Sequence, residues 1–407
     1  MRTDAVRQAT TPHAATATRP TAAVRSATSS QASGSVPTDS VATGAMSQAS
    51  TNPLIRVDRL IRDLRSGNVR YAPEIAAKTR PTELTASNFP CQKYVVHAGA
   101  QPLDARKLPT EIVPKGSESR YRDAVTVDSK LTAKETRRDL ETRVDRVHDQ
   151  ANELARQKTE SVMFWVEGDN ADGKDGTLGH LFSLNPLTTT GVKAFKAPSA
   201  EEKQHEPNWR VMQSLAGPGQ IGFHNRTAYG DVAFATKDEA SRAQRLADIK
   251  ELEYGLTMGL PMTPEGHIAL PDANGLVDPS ALQRPPMRFI KILLNVSKPE
   301  QAARLAERLM NNEKADKISP ADLEGHARHD EVQTAFANAF AATSTPWAPS
   351  YIIPHDNKET GWRKMAEIVD EVLEDMNPQR PGTTMSMAER QALAAPLLEE
   401  AAKARRS

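Results

Sequence analysis

Short apolar runs alternate with longer amphipathic stretches through most of the chain. Continuous apolar runs occur at 161–166, 191–195, 220–224, 287–296 and 351–353. The first run, SVMFWV, ends at a glycine-containing turn, which is typical of a buried parallel strand. Because strands that alternate with helices form parallel sheets, we predict an α/β fold with a doubly wound sheet and helices on both faces.

The stretches between these runs carry apolar residues at helical spacing. Residues 131–158 predict an amphipathic helix that leads into the core. Residues 257–286 instead break into Gly, Pro and Asp, which is long for a loop in a compact domain, so we predict an insertion or mobile lid there. Further helices are predicted over 199–215, 237–256, 299–311, 328–343 and 358–376, with a peripheral helix over about 387–405.

The N-terminal region has a composition that differs from the rest of the chain. The first fifty residues are rich in Ala, Thr, Ser and Pro, contain no aromatic residue and have Asp4 and Asp39 as their only acids. Such a segment buries too little apolar area to offset its ordering entropy. We therefore predict a disordered extension over 1–70, a poorly defined lead-in over 71–124, and a C-terminal helix or tail over 377–407.

Charge and hydropathy narrow the range of partners. The chain has 52 basic and 52 acidic side chains, so no overall field favours nucleic acid or an anionic membrane. Its one cysteine excludes an internal disulfide, and no apolar run approaches the roughly 20 residues that span a bilayer. We expect a cytoplasmic protein. Arginines among Ser, Thr and Ala near the N-terminus leave export into a host cell as the alternative.

The motif that carries chemistry follows the first apolar run. Residues 168–174 fit G-x-x-x-x-G-K between a strand and a helix. Gly168 and Gly173 let backbone N–H groups face phosphate oxygens, and Lys174 and the helix N-terminus add positive charge. Asp175 replaces the usual Ser or Thr. We predict that phosphate is bound by Gly168, Ala171, Asp172, Gly173, Lys174, Asp175, Gly176 and Thr177.

Further motifs follow in order: GKDGT (173–177), AFKAPS (194–199), QIGFHNRTAYGDV (220–232), IKILLNVSKPEQ (290–301) and TSTPWAPSYIIPHDNK (343–358). In this order they resemble the second family of bacterial polyphosphate kinases, over residues 125–376. The resemblance implies a three-layer P-loop kinase-like fold with a parallel sheet and a helical lid. It also implies phosphoryl transfer between inorganic polyphosphate and a nucleotide, ADP/ATP or GDP/GTP, with Mg²⁺ or Mn²⁺. A homo-oligomer is compatible with it.

The resemblance assigns roles to individual side chains. Asn170, Lys174, Asn225 and Arg226 match catalytic positions of the family. Cations at further matching positions are expected to bind phosphate or nucleotide, near the pocket or along the lid and anion path: Lys196, Arg210, Lys291, Lys298, Arg304 and Arg308.

The sequence departs from the family at one metal-binding position, and at the second it has the asparagine that some branches of the family have in place of aspartate. The family has an aspartate where this chain has Asn170, and Asn225 is also uncharged. An amide oxygen can ligate a cation, but it brings no charge and accepts no proton at neutral pH. We predict a weak metal site at Asn170 and Asn225, with Asp169 or Asp172 as alternative ligands.

These departures leave three interpretations open. The first is a polyphosphate-dependent phosphotransferase, with activity reduced by Asn170. The second is a catalytically reduced relative that binds nucleotide or polyphosphate, as a secreted bacterial effector. The third is an ordinary nucleoside-monophosphate kinase.

Overall fold

A computed structural model provides the structure of the chain. It describes residues 52–79, 94–96, 102–181, 188–235, 238–312 and 318–405. The first 51 residues of the predicted disordered extension lie outside the described residues.

Strands and helices alternate as the apolar runs predict. The strands are β1 (Val95–Val96), β2 (Glu111–Val113), β3 (Thr126–Asp128), β4 (Ser161–Glu167), β5 (Thr189–Ala194), β6 (Ile221–Asn225), β7 (Pro261–Met262), β8 (Leu282–Gln283), β9 (Met287–Asn295) and β10 (Ser350–Pro354). The helices are α1 (Pro53–Arg65), α2 (Pro73–Ala76), α3 (Ala133–Gln157), α4 (Lys174–Leu181), α5 (Trp209–Met212), α6 (Glu239–Met258), α7 (Lys298–Met310), α8 (Pro320–Ala327), α9 (His329–Thr343), α10 (Lys358–Met376) and α11 (Met387–Ala404).

The main sheet has six strands in the order β1-β10-β9-β4-β6-β5. Every neighbouring pair in it is parallel except β1 with β10. Each of the five apolar runs forms one of these strands, so the predicted α/β fold with a parallel sheet is confirmed. Strand β4 lies between β6 and β9, which places the loop that follows it near the middle of the sheet's carboxyl edge.

Both faces of β4 are buried because side chains alternate along a strand and its five central positions, 162–166, are all apolar. Val162, Phe164 and Val166 pack with side chains of α3, α4 and α10 on one face. Met163 and Trp165 pack with side chains of α1, α6 and α9 on the other. These layers hold β4 rigidly, so the loop after it starts from a fixed point.

One predicted helix is wrong. The region 199–215 contains only a 3₁₀ turn at Glu202–Gln204 and the single-turn helix α5. Ser199 and Glu202 do exchange capping-box hydrogen bonds. Pro207 then stops a continuous helix, because proline lacks an N–H and clashes with the carbonyl four residues earlier. The other predicted helices are confirmed with ends shifted by a few residues at most.

The predicted boundary of the disordered extension at residue 70 is also wrong. Helix α1 starts after Asn52, whose side chain caps it, and buries Val57 and Ile61 against the core. The described part of the lead-in is likewise packed: Ile112 is buried, and Tyr71 donates a hydrogen bond to the carbonyl of Ala269. The polar composition before residue 52 concealed the short amphipathic helix that follows it.

The segment 257–286 is not a mobile lid. Its residues Met262 and Ile268 are buried, and the Ile268 N–H donates to Glu251 of α6 at 2.9 Å. Strands β7 and β8 pair with each other inside it. The helices that contact the loop after β4 are instead α7 and α8, through Gln301, Arg304 and Gly325.

We expect Ile61→Ala to lower the free energy of unfolding by about 2–4 kcal/mol, since it empties a buried site between α1 and the core. Ile55→Ala on the same helix is the matched control, because Ile55 is 48% exposed and should change stability by about 0.5 kcal/mol or less. Urea denaturation of both variants measures this. Equal effects would contradict the packing of α1.

Candidate phosphate-binding site

The loop after β4 has the backbone shape of a phosphate-binding turn. Gly168, Ala171 and Gly173 have φ values of 153°, 61° and 98°. The absence of a side chain is required at Gly168, where a Cβ would lie 1.8 Å from Asp172 Oδ2. The loop therefore depends on glycine for a close contact as well as for its turn.

The ammonium of Lys174 is held inside this loop. Its Nζ donates to the carbonyls of Gly168 and Asp169 at 2.8 and 3.0 Å and to Asp172 Oδ2 at 2.8 Å. Asp172 Oδ1 accepts the backbone N–H of Lys174 at 3.1 Å. Both side chains are buried, and burial raises the pKa of Asp172 against the opposing effect of the Lys174 charge.

Asn170 and Arg226 meet at the carboxyl edge of the sheet. Arg226 Nη2 donates to Asn170 Oδ1 at 2.8 Å. Arg226 follows β6 and has a φ of 61°, which is strained for a residue with a side chain. Such strain concentrates at functional sites, and here it directs a cation toward the loop.

The second predicted metal residue, Asn225, has a different partner. Its Nδ2 donates to Asp175 Oδ1 at 2.5 Å, in the exposed first turn of α4. The Asn170 oxygen is bound by Arg226, while Asp169 accepts from Gln301 and from the Asn170 N–H. The two asparagines therefore have separate partners, and the carboxylate nearest to Asn225 is Asp175.

A pocket of about 420 Å³ opens beside the loop. The guanidinium of Arg210 lies 4.4 Å from the centre of the Phe195 ring in its wall. Three cations that were predicted as site residues line it: Lys196, Arg210 and Arg226. The aromatic residues Phe195 and Phe234, the acids Glu167 and Asp231, and the loop residues Gly168, Asp169 and Asn170 also line it.

Lys291 was assigned to phosphate binding, and this is wrong. Its side chain is fully buried, and its Nζ donates to Glu253 at 2.7 Å and to the carbonyl of Thr343 at 2.8 Å. Tyr229 and Thr343 complete this network. Lys291 thus stabilises the packing of α6 and α9 on the sheet.

The assignment of Arg304 to the anion path is also wrong. Its guanidinium is buried and donates to Glu300 and to backbone carbonyls, so all five N–H groups have protein acceptors. The carbonyl acceptors are those of Ala171, Asp172, His355 and Asp356. Arg304 therefore anchors the loop from behind.

Four other predicted residues have more limited contacts. Thr177 is buried, and its Oγ1 contacts the Gly173 carbonyl, His355 and Trp362, so it does not face a phosphate. Lys298 Nζ lies 3.4 Å from the carbonyl of Ala327 and links α7 to α8. Arg308 is half-buried at the end of α7, and Gly176 is exposed beside Asp175.

Two site residues escaped the sequence analysis. Gln301 donates to Asp169 and to the Asn170 carbonyl, and accepts from His326 of α8. Glu167 ends β4, is buried at the pocket and accepts hydrogen bonds from Thr227. Its burial raises the pKa of Glu167 to about 7. The sequence feature that could have identified Glu167 is a single carboxylate at the end of an apolar strand.

A parallel sheet, a glycine-bounded loop at its carboxyl edge and a helix that starts at Lys174 define a P-loop kinase-like fold. The sequence model of the family Polyphosphate kinase 2 matches residues 130–260 and 279–381, more than half of the chain. The chain belongs to this family. The match omits residues 261–278, which lie within the predicted insertion.

Individual relatives agree with this family. The chain is 29% identical over 262 residues to the ADP-polyphosphate phosphotransferase of Rhodopseudomonas palustris, covering 60% of the chain and 81% of the relative. It is 31% identical over 226 residues to the AMP/ADP-polyphosphate phosphotransferase of Meiothermus ruber, covering 54% and 74%. The crystal structure of polyphosphate kinase 2 from Arthrobacter aurescens shares the fold, with a TM-score of 0.59 and 23% identity over 75% of this chain and 96% of that one.

The described helices offer no candidate for a membrane-spanning segment, since none combines the necessary length and apolarity.

We expect the free energy of unfolding of the wild type, measured relative to that of Glu167→Gln, to fall as the pH rises from 4.5 to about 7. An acid whose pKa is raised by folding stabilises the fold below its unfolded pKa and loses that contribution as pH passes its folded value. The shift corresponds to about 3 kcal/mol at 1.36 kcal/mol per unit. Denaturation across this pH range measures it, with Glu141→Gln on the exposed side of α3 as control. A pH-independent difference would contradict the burial of Glu167.

Proposed function

We propose that this chain transfers a phosphoryl group between inorganic polyphosphate and a nucleoside phosphate. The observation that carries the proposal is the pocket at the carboxyl edge of the sheet, where the loop meets the cationic side chains of Lys196, Arg210 and Arg226. Doubly wound sheets bind ligands at this edge. Membership of the Polyphosphate kinase 2 family and the names of the relatives support the same reaction.

The arrangement suits a reaction between two polyanions. Phosphoryl transfer requires reactants in line and neutralisation of the charge on the moving group, with little covalent chemistry from the protein. Lys196, Arg210 and Arg226 supply cations on the pocket side, and Lys174 lies behind them in the loop. The pocket volume falls within the roughly 300–1,000 Å³ of small-molecule sites, and Phe195 and Phe234 add apolar surface for a nucleoside.

The residues present fit a divalent cation at one position. Within the described part of the chain, no three His, Cys, Asp or Glu side chains are grouped as a metal site. Mg²⁺ needs fewer protein ligands than that, because it binds one or two carboxylates together with substrate phosphates and water. Asp175 and Asn225 offer an exposed carboxylate and a neighbouring amide. They would hold Mg²⁺ or Mn²⁺, which would neutralise phosphate charge.

Asn170 has a positioning role in this arrangement. Its oxygen accepts the Arg226 hydrogen bond and so fixes the guanidinium against the loop. The amide neither carries charge nor accepts a proton at neutral pH. Proton transfer by this side chain therefore plays no part in the proposed reaction.

The test is an assay of the purified full chain with polyphosphate, Mg²⁺ or Mn²⁺, and each nucleoside mono- and diphosphate. We expect a nucleotide with one more phosphate to appear only when polyphosphate and a divalent cation are both present. ATP acting as donor to a monophosphate, without polyphosphate, would favour a nucleoside-monophosphate kinase. Absence of any transfer would overturn the proposal.

A second candidate function is binding without turnover. The observation that favours it is the uncharged Asn170 in place of the family aspartate, together with a Lys174 ammonium already bonded inside the loop. Binding of tripolyphosphate in calorimetry without transfer in the assay would support this candidate.

We expect Asn170→Asp to raise the rate of transfer about tenfold or more at limiting Mg²⁺. The metal position proposed above, Asp175 with Asn225, has one carboxylate. The substitution is nearly isosteric and adds a second carboxylate at the loop position where the family has its aspartate, and tenfold requires only about 1.4 kcal/mol. Asn170→Gln keeps the amide and should give no gain. Turnover across a Mg²⁺ titration measures the effect. A flat or lower rate, together with robust wild-type activity, would show that Asn170 does not limit the enzyme.

A further inference from the structure

One carboxylate occupies the groups that a P-loop presents to phosphate. In such loops the lysine ammonium and backbone N–H groups at the start of the helix bind phosphate oxygens. Here Asp172 Oδ2 binds the Lys174 ammonium at 2.8 Å, and Asp172 Oδ1 binds the Lys174 backbone N–H at 3.1 Å. The carboxylate of Asp172 thus accepts hydrogen bonds from both the backbone N–H and the side-chain ammonium of Lys174.

We propose that Asp172 is an internal competitor for phosphate, whose carboxylate must leave the loop before polyphosphate or a nucleotide phosphate binds there. The proposal rests on the function proposed above and names the residue that sets the phosphate affinity of the same loop.

The hydrogen bonds of Lys174 make the competition direct. An ammonium has three N–H groups, and in this structure they bind Asp172 and the carbonyls of Gly168 and Asp169. An incoming phosphate gains the ammonium only by replacing one of these acceptors. The carbonyls belong to the backbone of the loop. The Asp172 carboxylate is the one acceptor that belongs to a side chain, and like phosphate it carries negative charge, so exchange preserves the ion pair.

The surrounding contacts fix the backbone of Asp172, so the proposal assigns the change on phosphate binding to its side chain. Arg304 Nη1 donates to the carbonyls of Ala171 and Asp172 at 3.3 and 2.8 Å. On the opposite side the carboxylate lies against Gly168, where a Cβ would approach Oδ2 to 1.8 Å. The proposed exchange is therefore a rotation of this one side chain, with the loop backbone still held by Arg304.

The carboxylate is also costly where it lies. Asp172 is 3% exposed, and burial raises the pKa of its carboxyl against the charge and hydrogen bonds of Lys174 and the charge of Arg304. Phosphate that binds Lys174 exchanges this buried internal partner for an external one.

The experiment measures tripolyphosphate binding by calorimetry, with the full chain and no nucleotide. Wild type is compared with Asp172→Ala, which removes the competitor, and Asp172→Asn, which keeps its shape and removes its charge. Asp145→Asn, on the exposed side of α3, controls for the loss of one negative charge. We expect about tenfold tighter binding by Asp172→Ala, a smaller gain by Asp172→Asn, and no change in the control.

Both Asp172 variants are first checked for cooperative thermal unfolding, and Asp172→Asn carries the test if the alanine variant fails to fold. Binding within twofold of wild type, or weaker binding, by the folded variants would overturn the proposal. A purely structural role for Asp172 predicts that result, since loosening the loop would only weaken its ligand.

Kinetics separate this proposal from the proposed function. We expect the KM for polyphosphate to fall about tenfold in Asp172→Ala, with a smaller change in kcat. If the wild type transfers phosphate and the KM of Asp172→Ala is unchanged, the proposal that Asp172 competes with phosphate is overturned, and the proposed phosphotransferase function is retained. Tighter tripolyphosphate binding by the variant, with no transfer by any form of the chain, would support the competitor and overturn the function. Absence of binding by every form would overturn both.

Discussion

The site depends on a single guanidinium behind the phosphate loop. Arg304 binds carbonyls of the loop and of the segment after β10, and its Nε binds Glu300 of its own helix. Glu300 in turn accepts from Arg120 and Tyr121, so the lead-in before α3 is tied to the same point. Buried carbonyls without donors are costly, and one side chain satisfies four of them. The backbone of the loop is consequently anchored to α7 and to the segment after β10 through this one side chain.

The sequence predicts the scaffold better than the roles of its charged residues. Continuous apolar runs identify the strands because a sheet covered on both faces leaves few positions for a polar side chain, of which Lys291 in β9 is one. The spacing of Gly168 and Gly173 identifies the loop because only particular backbone shapes expose its N–H groups. Lys291 and Arg304 were misassigned because a basic residue looks the same in sequence whether it faces phosphate or a buried acceptor. Lys291 finds Glu253 through tertiary packing that no local pattern shows.

The loop illustrates how the position of a charge matters more than its presence. This chain has no carboxylate at 170 but has one two residues later, at 172. At 170 the side chain faces Arg226 and the pocket, whereas at 172 it faces Lys174 inside the loop. A loop with its aspartate at 170 and a loop with its aspartate at 172 have the same composition. Their geometry differs, because a carboxylate at 172 pairs with the Lys174 ammonium, whereas one at 170 leaves that ammonium for the ligand.

The wholly buried pair of Lys291 and Glu253 limits the substitutions that evolution can accept at these two positions. Removing one partner leaves an uncompensated charge in the core at about 3–5 kcal/mol, whereas replacing both with apolar residues of similar volume is often neutral. Single substitutions at either position should therefore be eliminated by selection. Among related chains we expect these two positions, 38 residues apart, to change together or not at all, so that they covary although neither touches the substrate.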